Sequence, residues 1–379
     1  MKKDHLLIIN GGSSSLKFSL FNFKLKEELQ GSFNLLGNKK SSLTINNKKY
    51  KIYNYSYNLK KWWSELEKIV KEYNIKYIGF RLVHGGIEFT KTREINNSFL
   101  RKIKKYNNFA PLHNPITLEL IALAQNSFKG IKMSVSFDTA WYKDLPAKAY
   151  LYSLPFKYYK KYSIRRYGFH GLSHEFATQY TAQKLKKSLK KLNIITCHLG
   201  AGNSIAWYKQ GKVVDTTMGF SPNEGLTMST RSGTIPSAIV FYLFHTFKIP
   251  VSKLKKIFNK ESGLYGLCNL TDLREILIAA GYRLKVFQSK KKFTKLEKER
   301  SKIALEVFIY SIQKYLASYL GFNKKLDALV FTGGIGVNSN IIRKLVIKDL
   351  VIPKNTKILI APEGESLILA QKTLKYFKK

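Results

Sequence analysis

Two stretches half a chain apart repeat one arrangement of apolar and small residues. Leu6-Leu7-Ile8-Ile9 is an apolar run, Gly11-Gly12-Ser13-Ser14-Ser15 a run of small residues, and Leu16 to Phe21 a second apolar run. Ile194-Ile195 to Leu199, then Gly200-Ala201-Gly202-Asn203-Ser204, then Ile205 to Tyr208, repeat the pattern. Each predicts a strand, a tight turn and a returning strand. Ala328 to Thr332 followed by Gly333-Gly334-Ile335-Gly336 starts the same way, but lacks the returning strand and runs towards a helical segment from about Asn340. Glycine lets a backbone approach a bound group closely, and successive N–H groups with serine hydroxyls can surround phosphate oxygens. One such turn is weak evidence, because most only reverse the chain. A duplicated strand, turn and strand predicts two similar α/β domains facing each other across a nucleotide cleft.

Between these turns the apolar spacing changes to that of helices. Trp62, Leu66, Ile69, Val70 and Tyr73 lie on one helical face, and Glu299 to Leu320 is a long helical run closed by Gly321. Their aromatic residues are assigned to cores. Lys285 to Lys298 is charged and poor in large apolar residues, and is expected to be an exposed excursion before the long helix. A domain boundary is expected between Asp138 and Pro146.

Composition narrows the class. At 379 residues the chain has room for two domains with full cores, and 44% hydrophobic residues exclude a disordered polymer. No stretch reaches the roughly 18 apolar residues of a membrane span. Met1-Lys2-Lys3 resembles the start of a secretory signal, but Leu6 to Ile9 is cut short by Asn10-Gly11-Gly12, too soon for its apolar core. With only Cys197 and Cys268 there is no disulfide framework, and the expected location is the cytoplasm. The formal charge of +42 is large enough to attract polyanions. Lysines are nevertheless spread along the whole chain, accompanied by Asn, Ile, Tyr and Phe, all residues with A/T-rich codons. That pattern fits compositional drift on solvated surfaces. With no recognition motif present, no nucleic-acid partner and no membrane partner are expected.

The polar motifs are more specific. Asn10-Gly11-Gly12-Ser13-Ser14-Ser15-Leu16-Lys17 is followed by Arg81-Leu82-Val83-His84-Gly85-Gly86, Ala110-Pro111-Leu112-His113-Asn114-Pro115, Phe137-Asp138-Thr139-Ala140 and Arg165-Arg166-Tyr167-Gly168-Phe169-His170-Gly171. Then come His198-Leu199-Gly200-Ala201-Gly202, Met218-Gly219-Phe220-Ser221-Pro222 with Glu224-Gly225-Leu226, Arg231-Ser232-Gly233, Asp272-Leu273-Arg274 and Gly334-Ile335-Gly336. In this order, from residue 5 to about 370, they closely resemble the acetate kinase family, within the superfamily of acetate and sugar kinases, Hsc70 and actin. The resemblance implies an α/β fold of two duplicated actin- or hexokinase-like (ribonuclease H-like) domains around a nucleotide cleft. The first would span 1–145, rejoined by 366–379. The second, 146–365, would carry the nucleotide site and a homodimer interface.

The implied reaction is reversible, in-line phosphoryl transfer from ATP to acetate, giving ADP and acetyl phosphate, with Mg²⁺ or Mn²⁺. Such a reaction needs cations and hydrogen-bond donors around the moving phosphoryl group. The resemblance casts Asp138, His170 and Arg231 as catalytic, with Arg81 holding the acetate through its guanidinium fork. These residues are expected to act on the reacting groups rather than on folding. Val83, Leu112, Phe169 and Pro222 would surround the acceptor's methyl group. The nucleotide would be held by Ser13, Ser15 and Lys17, by His198, Leu199, Gly200, Ala201 and Gly202, by Asp272, Leu273 and Arg274, and by Gly334, Ile335, Gly336, Val337 and Asn338. Asn10 and Glu365 would lie at the metal, which needs only one or two carboxylates beside ATP oxygens. Acetate at neutral pH has no proton to remove, so orienting or metal work suits Asp138 better than a role as base. His84, His113 and His174 are read as structural.

Several positions depart from the family pattern. Ser229-Thr230-Arg231-Ser232-Gly233-Thr234-Ile235-Pro236-Ser237 stands where Gly-Thr-Arg-Ser-Gly-Asp-Ile-Asp-Pro is usual, so two carboxylates near Arg231 are gone. Val337 replaces a common Glu, Ala201 a frequent Asn, and Ser366 the second Glu of a pair begun by Glu365. The alternatives are a propionate or butyrate kinase and a non-catalytic ATP-binding relative.

Overall fold

The first apolar run forms strand β1 (Asp4–Gly11) and returns as β2 (Ser15–Asn22), paired antiparallel from His5 opposite Asn22 to Gly11 opposite Leu16. The computed structural model describes residues 3–12, 14–36, 40–54, 57–111 and 113–378. Its internal contacts divide the chain into two units, Met1–Lys143 with Gly364–Lys379, and Asp144–Glu363.

In the first unit, β3 (Glu27–Leu36), β4 (Lys40–Ile45) and β5 (Lys48–Tyr53) continue the antiparallel ladder on one side of β1. On the other side β6 (Asn74–Leu82) and β8 (Lys132–Phe137) run parallel to β1, and the short β7 (Arg93–Glu94) closes the edge. The sheet order is β5-β4-β3-β2-β1-β6-β8-β7. The helix Leu59–Val70 packs on this sheet for the reason its spacing predicts. Leu59, Trp62, Trp63, Leu66 and Val70 are buried, and the Asn58 side chain caps the first turn by accepting from Lys61 N. The tryptophan indole donates to Ser41 Oγ at 3.2 Å from Trp62, so burial leaves its N–H satisfied.

In the second unit, β9 (Asn193–Leu199) and β10 (Asn203–Lys209) form the second strand, turn and strand, followed by β11 (Lys212–Thr216). Strands β12 (Ala328–Thr332) and β13 (Lys357–Ile360) run parallel on the far side of β9, giving the order β11-β10-β9-β12-β13. This is the arrangement of β3-β2-β1-β6-β8 in the first unit, with the same antiparallel and parallel senses. The duplication expected from the two turns is therefore a duplication of a five-stranded core, to which the first unit adds β4, β5 and β7.

The long helix runs Lys295–Gly321 and buries Ala304, Leu305, Phe308, Ile312 and Leu316 against that core. It begins earlier than its apolar spacing indicated. Thr294 and Glu297 form a reciprocal capping box, so the last residues of the charged 285–298 segment are helical rather than an excursion. Another helix, Ser237–Thr246, buries none of its residues, although its sequence Ser-Ala-Ile-Val-Phe-Tyr-Leu-Phe-His-Thr is almost wholly apolar. Among the described residues no helix is long and apolar enough to cross a membrane.

Candidate active site

Parallel neighbours in a sheet end on the same side, and the C-terminal ends of β1, β6 and β8 bring together residues far apart in sequence. Asn10 lies at the end of β1 and Arg81 at the end of β6, while Asp138 follows β8. Arg81 Nε donates to Asp138 Oδ2 at 3.0 Å, Arg81 Nη2 donates to the same oxygen, and Arg81 Nη1 donates to Asn10 Oδ1 at 3.0 Å. The amide nitrogen of Asn10 donates to Glu365 Oε2 at 3.3 Å, at the first residue of the helix Glu365–Phe377. Asn10, Arg81, Asp138 and Glu365 thus form one connected group within the first unit. Asp138 is 1% exposed. Burial opposes the charge on Arg81, but the carboxylates of Asp138 and Glu365 outweigh it and raise the arginine above its ordinary value. Arg81 was expected to act on the reacting groups rather than on folding, and here it also forms an internal ion pair. Of the five guanidinium N–H groups, three serve these bonds and two remain.

Lys17 lies on β2 directly opposite Asn10, and Ser15 begins that strand. Val83 follows β6 and is buried. Ser13 and Leu112 lie outside the described residues. His84 is fully buried; its Nδ1 accepts from Gly86 N at 3.0 Å, and burial pushes the imidazole down to about 3, so the ring is neutral. Asn114 brackets the same residue through its backbone, accepting from His84 N at 3.1 Å and donating to His84 O at 3.0 Å, which is structural work.

The second constellation belongs to the second unit and is built on the turn between β9 and β10. Gly200 N donates to Asn203 Oδ1 at 2.9 Å, and Asn203 Nδ2 donates to Thr227 O at 2.9 Å, fixing the turn from inside. Gly202 is there because of what stands over it. A Cβ at that position would lie 2.5 Å from Arg231 Nη2 and 3.2 Å from His170 Cε1. The missing side chain lets a guanidinium and an imidazole approach one backbone turn together. His170 has φ of 54° and ψ of 27°, the left-handed region, immediately before the helix Gly171–Leu185. Such a conformation in a non-glycine residue is held by its surroundings. The ring stacks on His198 at 4.2 Å between centroids, its Nδ1 lies 2.9 Å from Ser204 Oγ, and His198 Nδ1 lies 2.8 Å from Ser173 Oγ.

Arg231 Nη1 donates to Pro222 O at 2.6 Å. Among the described residues the guanidinium makes no ion pair. Burial pushes it down to about 10, which still leaves it cationic at neutral pH. The loop carrying Pro222 is held by Arg166 and Glu224, which the sequence offered only as motif members, and by Tyr152, which it did not mark. Arg166 Nη2 pairs with Glu224 Oε1 at 2.9 Å, Tyr152 donates to the other oxygen of Glu224, and Phe220 N donates to Tyr152 Oη at 2.7 Å. Phe169, beside His170, is 1% exposed.

The remaining nucleotide candidates adjoin the same turn. Gly333, at φ of 75°, packs on Leu199, where an added Cβ would lie 2.7 Å from Leu199 O, and it starts the short helix Gly333–Asn338 that contains Gly334, Ile335, Gly336 and Val337. Asn338 Nδ2 donates to Gly334 O at 2.8 Å, and Arg343 Nη1 donates to the carbonyls of Gly336 and Val337, both at 2.8 Å. Ser229 joins the third candidate group: its N donates to Ala201 O at 3.3 Å and its Oγ to Thr271 O at 3.2 Å, next to Asp272. Asp272 caps the helix Leu273–Ala279 and pairs with Arg274 at 2.6 Å, which holds the carboxyl below its usual range.

Known proteins match this chain over nearly its whole length. Residues 5–353 match the model of the acetokinase family. The chain is 35% identical to an acetate kinase of Carboxydothermus hydrogenoformans, over 97% of this chain and 98% of the relative, and 39% identical to an acetate kinase of Buchnera aphidicola subsp. Cinara cedri, over 93% and 87%. Among solved structures it resembles a propionate kinase from Francisella tularensis, with a TM-score of 0.87 at 34% identity over 98% of this chain and 99% of that one. It also resembles the acetate kinase of Porphyromonas gingivalis, with a TM-score of 0.84 at 30% identity over the same shares.

Proposed function

The chain belongs to the acetokinase family, with its duplicated actin-like α/β fold, and from that premise we propose how its residues divide the work of a phosphotransferase that moves a phosphoryl group between ATP and acetate. The observation that carries the reading is Arg231, a half-buried cation whose hydrogen-bond partner is a carbonyl oxygen and not an acid. A partly desolvated cation with no acid beside it is a ready partner for an anion. Together with His170, on the same turn, it supplies charge and donors where a transferring phosphoryl group spreads negative charge over its oxygens. The turn from His198 through Leu199, Gly200 and Ala201 to Gly202 is suited to the donor nucleotide's phosphates. Gly334 to Asn338 and Asp272 to Arg274 border that turn and are suited to the rest of ATP.

Arg81 takes the acceptor. Two guanidinium N–H groups remain after Asp138 and Asn10 are served, and a carboxylate is the group that two such donors match. Asp138 then orients Arg81 and keeps it charged, and removes no proton from acetate. Val83, Phe169 and Pro222 are assigned to the acceptor's methyl group, together with Leu112.

Mg²⁺ fits the donor set in a limited way. Among the described residues no three His, Cys, Asp or Glu side chains gather to hold a metal by themselves. Glu365, with Asn10 beside it, offers a hard oxygen ligand to an ion that brings nucleotide oxygens and water with it. When bound, that ion neutralises phosphate charge. A cytoplasmic location is part of the same reading, supported by two buried, free cysteines.

A homodimer is also proposed. Phe241, Tyr242 and Phe247 are each about 60% exposed on or beside the helix Ser237–Thr246, and Ile303, Val307 and Tyr310 are exposed in a stripe on the long helix. An apolar helix with no buried residue is stabilised by being covered, and a second copy of this chain is the occupant that the family suggests.

The test of the reaction is incubation with ATP, Mg²⁺ and acetate, propionate or butyrate, with hydroxylamine to trap acyl phosphate. Acetohydroxamate is the expected product. Propionohydroxamate is expected as well, because one methylene is worth only about 1–3 kcal/mol to an apolar pocket, too little to exclude propionate. No hydroxamate from any acceptor would overturn the reading.

A further inference from the structure

We propose that Ser204 is a positioning residue that fixes the proton of His170 on Nδ1, through a one-way chain of hydrogen bonds ending on a backbone carbonyl. The proposal rests on the assignment of His170 to the transferring phosphoryl group, but the chain itself is read from geometry. The register of β9 and β10 puts Ser204 opposite His198 and Ala206 opposite Thr196. The helix Gly171–Leu185 lays His174 over both strands. His174 Nδ1 lies 2.7 Å from Thr196 Oγ1, His174 Nε2 lies 2.7 Å from Ser204 Oγ, and Ser204 Oγ lies 2.9 Å from His170 Nδ1. Ser204, His174 and Thr196 are all fully buried.

The direction of the chain follows from its far end. Thr196 Oγ1 donates its one proton to Ala206 O at 3.3 Å, so towards His174 it is an acceptor. His174 therefore carries its proton on Nδ1. Burial, and secondarily the neighbouring His198, hold this imidazole well below its ordinary value, so it is neutral and its Nε2 is an acceptor. The proton facing that nitrogen is the hydroxyl proton of Ser204. The Ser204 oxygen in turn accepts from His170, whose proton sits on Nδ1.

This has a consequence for phosphoryl transfer. With its first proton committed to Nδ1, His170 donates from Nε2 only as an imidazolium. Ser204, accepting from Nδ1, favours that cation and prevents the ring from flipping. The ionisable groups around the ring are His198, stacked on it, His174 through Ser204, and Arg231 across Gly202. His198 and Arg231, when charged, oppose a second cation there, which makes the accepting oxygen of Ser204 more consequential.

The test is a two-bond proton–nitrogen correlation spectrum of full-length protein labelled with nitrogen-15 histidine, without substrate, across pH. The expected result is a non-titrating Nδ1–H tautomer for His174 and an Nδ1–H tautomer for the neutral form of His170. An Nε2–H tautomer for either residue reverses the chain and overturns the proposal, whether or not the protein makes acyl phosphate. Failure to make acyl phosphate, with the expected tautomers present, removes the catalytic assignment of His170 and leaves the chain intact. In Ser204→Ala, neutral His170 is expected to show mixed tautomers. The alkaline limb of its kcat profile should move to lower pH by about half to one unit, the scale of one lost hydrogen bond. Its kcat should fall about ten-fold, with KM for ATP and acetate nearly unchanged. Ser204→Thr, which keeps the hydroxyl, should restore the tautomer and the pH profile. An unmoved pH limb in a folded Ser204→Ala protein overturns the proposal. If that variant does not fold, the wild-type tautomers decide.

Discussion

The guanidinium of Arg231 donates to the carbonyl oxygen of Pro222 at 2.6 Å, and this neutral contact takes the place of an acid. A half-buried cation held only this way does not stabilise the unliganded protein. Arg231→Met keeps the aliphatic stem and removes the charge, so its melting temperature is expected to equal or exceed that of the wild type. Thermal unfolding without substrate checks this. A large loss of stability would mean that Arg231 is a structural cation.

Arg81 is expected to behave in the opposite way, because it is paired with a buried carboxylate. Arg81→Ala should raise KM for acetate, lower kcat and destabilise the fold by about 3–5 kcal/mol, since the buried Asp138 carboxylate loses the cation that balances it. Replacing both residues, Arg81→Met with Asp138→Leu, should recover most of the stability and none of the activity. Denaturant unfolding and acetate saturation curves on the single and double variants check both parts.

Two buried histidines set an acid limit. His84 is held neutral down to about 3 and His174 is held well below its ordinary value, whereas both titrate near 6.5 when unfolded. Between these values the unfolded chain binds protons that the folded chain refuses, so stability falls as pH falls below about 6.5, by roughly 1.4 kcal/mol per unit for each group at most. The pH dependence of unfolding free energy should be shallower in His84→Gln than in the wild type over that window.

The apolar helix Ser237–Thr246 predicts a dimer. Sedimentation at micromolar concentration should give twice the 43.6 kDa of one chain. Phe241→Glu together with Tyr242→Glu should shift the protein towards monomer with its unit folds intact, as read by circular dichroism. A wild-type monomer would contradict the dimer.

What the sequence made legible was local. Strand, turn and strand could be read at both Gly11-Gly12 and Gly200-Ala201-Gly202, because apolar runs broken by small residues encode that geometry within a few positions. The helix at Trp62 and Leu66 was legible for the same reason. The strand order could not be read, since β6 joins β1 across about 70 residues, as Asp4 with Asn74 illustrates, and β8 joins β6 across 55, as Tyr77 with Lys132 illustrates. Arg81 and Asp138, 57 positions apart, were picked out singly by motif, but their ion pair required the parallel register of β6 and β8. Tyr152, Thr196 and Ser173 carried no signal, because hydroxyl residues are common and these matter only through what the fold sets beside them. The helix Ser237–Thr246 is almost wholly apolar yet buries none of its residues, and hydropathy alone does not distinguish a core helix from an exposed one.

The central claim is that Arg231 acts on the phosphoryl group in flight, more strongly than on either bound substrate. The most direct measurement is the single-turnover rate of transfer from ATP, labelled at its γ-phosphate, to acetate, in wild type and Arg231→Ala with both substrates saturating. Removing a donor to developing charge costs a few kcal/mol, so the rate at saturation should fall by about 10² to 10³. Equal rates in the two proteins at saturation would contradict the account.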